Sequence, residues 1–102
     1  MSDDTHDLVE AIHPGIVLHN KFMKPNGLSI NRLARDLVVP PNRIHAIIHG
    51  ERSVTADTAL RLAAYFDIAA ESWLGLQIDY DLRVARHRHG DKILHRVRRL
   101  EI

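Results

Sequence analysis

The sequence predicts an all-α fold, a small helical bundle organised around a helix-turn-helix. Three observations carry that expectation. Apolar residues recur at helical spacing from Val17 to Ala85, with no strand-like alternation. Capping residues, prolines and glycines stand at the boundaries those spacings imply. The run Leu28–Arg52 then fits two short amphipathic helices, a tight turn and a glycine stop together. The expected count is five helices, possibly six.

Residues 1–12 read as a flexible acidic arm, with Asp3, Asp4, Asp7 and Glu10 and no Lys or Arg; such an arm orders on a partner. A single domain is expected over 13–86. It opens at His13-Pro14-Gly15, because proline is tolerated in a first helical turn. The first helix runs to about Lys24, buries Val17, Leu18 and Phe22, and stops at Pro25-Asn26-Gly27. Ser29 caps the second helix, whose Ile30, Leu33, Ala34 and Leu37 fall at i, i+3, i+4 and i+7. Val38-Val39 form the turn. Pro40-Pro41 start the third helix, Ile44, Ile47 and Ile48 give it one apolar face, and Gly50 ends it.

Thr55 caps the fourth helix, Asp57 complements its dipole, and Ala59, Leu60, Ala63 and Phe66 form its buried stripe. The fifth runs from about Ala70 to Arg86 with two apolar stripes. Trp73, Leu76, Tyr80 and Val84 make one; Leu74, Ile78, Leu82 and Ala85 make the other; Gln77 and Asp81 lie between. One stripe packs on the domain, leaving part of the helix to face a second protomer. Leu74, Ile78, Tyr80 and Leu82 are the dimer contacts this implies. Residues 87–102 form a basic tail or a short sixth helix, with Ile93, Leu94, Val97 and Leu100 on one face.

Two helices that meet near a right angle need a small residue where they touch, and Ala34 supplies it. The third helix needs one face buried for rigidity and the opposite face free to enter a major groove. Its exposed residues suit that task. Asn42 matches adenine, Arg43 matches guanine, and Ala46 matches a thymine methyl. Pro41 and His45 share this face. Ser29 and Asn31 begin the second helix, where backbone amides favour phosphate. His49 and Arg52 are placed for the DNA backbone at the other end.

Net charge is only +1, but it is unevenly spread. Residues 1–10 carry −4 and residues 83–102 carry +5, with Arg83, Arg86, Arg88, Lys92, Arg96, Arg98 and Arg99 against Asp91 and Glu101. The absence of cysteine rules out a disulfide framework and a thiolate metal site. No signal peptide or membrane span is read, so a cytoplasmic location is expected. His45 and His49 stand at i, i+4, a spacing that can hold zinc, but no third ligand is evident. No phosphate loop, nucleophile elbow or metalloprotease motif occurs, so neither catalysis nor a cofactor is expected.

The segments HPGIVLHNKF, LSINRLARDL, VPPNRIHAIIHGERSVTADTALRLAAYF and ESWLGLQIDYDLRVA occur in this order. Together they resemble the HigA-type antitoxins among the Xre-like helix-turn-helix repressors, over about residues 13–86. The resemblance implies a lambda-repressor-like bundle. It implies a homodimer that binds double-stranded operator DNA, represses its own operon and neutralises a HigB-like toxin, a ribosome-dependent mRNA endonuclease. A stand-alone Xre-like repressor without a toxin is the alternative. The sequence departs from the motif at Val38, a turn position commonly held by glycine because its φ is positive. Either Val38 is strained or the turn takes another shape.

Overall fold

A computed structural model describes residues 11–101, among which there are five helices and no strand. The acidic arm therefore lies almost wholly outside the described residues. Helix α1 spans Pro14–Val17 and continues as a π-helical stretch, Leu18–Met23. His13 caps it: the Gly15 amide donates to His13 Nδ1 at 2.9 Å. The π stretch has a packing consequence. Its wider turn, closed by Lys24 N–H donating to the His19 carbonyl at 3.0 Å, puts residues five apart on one side. Leu18 and Met23 are thus both buried, while Val17 and Phe22 only lean on the core. A period of 3.6 selects Phe22 and overlooks Met23.

Helices α2 (Ile30–Leu37) and α3 (Pro41–Ile48) form the helix-turn-helix, with boundaries where capping chemistry put them. Ser29 Oγ accepts from the Arg32 amide at 3.1 Å. Leu33, Ala34 and Leu37 are buried, as are Ile44 and Ile47 of α3. The turn is tight because Val38 takes φ 60°, ψ 50°, the left-handed region. Its amide donates to Arg35 and that of Val39 to Ala34, the bond pattern glycine usually completes. Gly50 closes α3 the same way at φ 73°, with its amide donating to Ile47 and that of Glu51 to Ala46.

Helix α4 spans Ala56–Phe66 and is capped by Thr55. Its buried residues are Thr58, Ala59 and Leu62, whereas Leu60 is 64% exposed. The expected stripe was rotated by part of a turn: Leu60 and Leu62 are equally apolar, and only tertiary packing separates them. Phe66 joins an aromatic group in which Phe22 lies 5.0 Å from it and 5.1 Å from Trp73.

Helix α5 is one continuous helix, Ala70–Arg96, in place of a helix ending at Arg86 and a separate tail segment. Trp73 and Gln77 are its buried residues. Gln77, assigned to the polar strip between the stripes, instead reaches inward. Its Oε1 accepts from the Val54 amide at 2.8 Å and its Nε2 donates to Asp81 at 2.9 Å. All residues from Asp91 to Leu100 are exposed, so the second half of α5 extends beyond the packed body. No described helix is long and apolar enough to cross a membrane.

Candidate nucleic-acid interface

Helix α3 is fixed from beneath and bare above. Ile44 and Ile47 anchor it in the core, and its end crosses α1 at backbone contact distance. Gly15 permits that crossing, since a Cβ there would run into the Ile47 carbonyl oxygen. On the outer side, Pro41, Asn42, His45 and His49 are exposed and Ala46 is half-buried. A shallow concavity joins the starts of α2 and α3, lined by Ser29, Ile30, Asn31, Pro41, Asn42 and His45. The sequence-derived residues of the two helix starts therefore share one surface, while Arg52 stands exposed beyond Gly50.

His45 and His49 stack at a ring separation of 4.2 Å, and His49 Nδ1 lies 2.7 Å from the His45 carbonyl. That bond requires the proton on Nδ1 and directs Nε2 outward. No group of three or more His, Cys, Asp or Glu side chains with metal-binding placement occurs among the described residues.

Arg43 sits differently from the free reader the sequence implied. Its side chain is 23% exposed and its Nη1 donates to Asp57 Oδ2 of α4 at 2.9 Å. The same carboxylate oxygen accepts from Arg61 Nε at 3.0 Å. The two guanidinium groups, Arg61 first, hold the Asp57 carboxyl below the usual carboxylate range. The partner is 14 residues away, beyond the reach of helical spacing. Arg61 was not singled out from sequence, nor was Tyr65, whose hydroxyl donates to Asp36 of α2 at 2.8 Å.

Of the four residues expected at a dimer contact, two are occupied within the chain. Tyr80 meets His13 edge-on, with ring centres 4.9 Å apart, and Leu74 packs against the core. Ile78 and Leu82 remain bare, at 59% and 46% exposure.

This geometry is a supported helix with a free polar face, the architecture of a helix-turn-helix protein. The family model described as Helix-turn-helix matches residues 21–73. The chain is 52% identical over 75 residues to Virulence-associated protein I of Dichelobacter nodosus, covering 74% of this chain and 69% of that one. It is similar to the structure of an addiction module antidote protein of a HigA family from Coxiella burnetii. That match has 44% identity and a TM-score of 0.82 over 88% of this chain and 98% of the other. It is also similar to the Pseudomonas aeruginosa antitoxin HigA, solved with the higBA promoter, at 36% identity and a TM-score of 0.85 over 90% and 100%. The chain thus belongs to the helix-turn-helix family, in its HigA-type antitoxin branch.

Proposed function

We propose that the chain is the antitoxin of a toxin–antitoxin pair: a cytoplasmic homodimer that lays α3 of each protomer into the major groove of its operator and represses its own operon. It also neutralises a HigB-like toxin, a ribosome-dependent mRNA endonuclease. The observation that carries the DNA half is α3 itself, immobilised by Ile44 and Ile47 with Asn42 and His45 bare on the far side. The relative solved with the higBA promoter supports operator binding. Asn42 is the base reader, with Ala46 and His45 beside it. Ser29, Asn31, His49 and Arg52 meet phosphates. Pro41 shapes the approach. Arg43 reads a base once it leaves Asp57, whose side chain is 58% exposed, so that water screens the pair.

The test is a gel shift with a duplex from the chain's own promoter and a random duplex, at two salt concentrations. Preference for the operator, with affinity for both duplexes falling as salt rises, is the expected result. Asn42→Ala should reduce the preference by about 1–3 kcal/mol and leave random-duplex binding alone. Equal affinity of the wild-type protein for both duplexes overturns the DNA half. Growth rescue on co-expression with a toxin encoded beside the gene tests the other half.

A further inference from the structure

One side chain of α4 links the turn of the helix-turn-helix to α3. Arg61 Nη1 donates to the Leu37 carbonyl at 2.8 Å and the Val38 carbonyl at 3.2 Å. Its Nε donates to Asp57 at 3.0 Å, and Asp57 in turn accepts from Arg43 on α3. The end of a helix leaves carbonyls without intrahelical donors, and a cation there also complements the negative end of the helix dipole. At this helix end the need is greater, because Val38 holds a left-handed backbone that a β-branched residue resists. A guanidinium serves both ends of the link through its fixed fork of donors. The single charge of a lysine cannot.

We infer that Arg61 is a positioning residue for DNA recognition. It locks the turn between α2 and α3, so that α3 is presented at one angle. The inference rests on the operator-binding reading above. Arg61 contributes no base contact of its own.

The test compares Arg61→Met, Arg61→Lys and Arg61→Met combined with Val38→Gly, all in the full chain. Two quantities are read: amide hydrogen exchange at Val39 in the free protein, and the ratio of operator to random-duplex affinity. The Val39 amide bonds the Ala34 carbonyl at 3.0 Å and so reports closure of the turn. Arg61→Met should speed its exchange and lower operator affinity about tenfold, the loss of roughly one net hydrogen bond, with little change on random DNA. Arg61→Lys should recover less than half of that loss. Adding Val38→Gly should restore most of it, since glycine takes the left-handed conformation unaided. Unchanged exchange at Val39 in Arg61→Met overturns the positioning role, whatever the DNA result. Equal losses on both duplexes, or the same loss with and without Val38→Gly, also overturn it. Faster exchange in a protein whose wild type has no operator preference overturns the operator reading, and the recognition role with it.

Discussion

At Val38 the chain pays for a turn shape that its own side chain disfavours. The residue is 79% exposed, so burial returns nothing for the left-handed backbone. That conformation costs a β-branched residue about 1–2 kcal/mol, and glycine would add back up to about 1 kcal/mol as unfolded-state entropy. Val38→Gly should therefore stabilise the free protein by a few tenths to about 1 kcal/mol, seen as a thermal midpoint higher by a few degrees. A lower midpoint would mean that the turn is not strained. Gly15 is the opposite case. The obstacle to a side chain is the Ile47 backbone, which has no rotamer by which to withdraw. Gly15→Ala should cost about 1–3 kcal/mol in denaturant unfolding, as overpacked sites do. A neutral result would show that α1 can slide off α3.

Among the elements, α2 and α3 were the most legible. Local signals agree there: Ser29 and Pro41 at the starts, Gly50 at the end, and isoleucines and leucines at unbroken helical period. Legibility fell where the deciding partner is far along the chain or the period changes. Met23 is buried because α1 widens into a π stretch. Gln77 is buried because Val54, 23 residues earlier, needs an acceptor for its amide. Arg43 is a candidate base reader by its place on α3, but its hold on Asp57, 14 residues away, leaves no local signal. The cap of α1 offers a pH test of such hidden contacts. Burial lowers the pKa of His13 from its ordinary value of 6.5, against opposing effects of Asp81 and a backbone hydrogen bond at Arg52. The folded state thus favours the neutral ring whose Nδ1 caps Gly15, and the unfolded chain takes the proton first. Stability from this ring is complete above pH 6.5 and is lost as the pH falls from there through the folded-state value. His13→Asn keeps a capping acceptor and removes the titration. Its thermal midpoint should fall less than that of the wild type between pH 7.5 and about 5.5. Parallel curves would assign the acid sensitivity to other groups.

For the whole molecule, the unpaired face of α5 decides what one protomer can accomplish. A 27-residue helix is about 40 Å long, and beyond Asp91 this one touches little of its own domain. Ile78 and Leu82 lie bare on it, continued by a shallow, mostly apolar concavity lined by Leu82, Ala85, Ile93 and Leu94. A single small recognition domain makes few base contacts, so the proposed operator specificity requires two copies held about 34 Å apart. The apolar face of α5 is the surface that suits pairing, and both the dimer and the operator preference should fail with it. Ile78→Asp with Leu82→Asp places two charges where a partner must bury them, yet leaves the monomer's core untouched. The double variant should sediment as a monomer, melt close to the wild type at low concentration, and retain only salt-sensitive binding to random DNA, with operator preference reduced by a factor of about 1,000 or more. If it sediments as a dimer, the interface lies on the Ile93–Leu94 part of the concavity, and Leu94→Asp becomes the variant that separates the protomers. If it is monomeric and still selects its operator, specificity resides in one α3, and the two-site geometry is wrong.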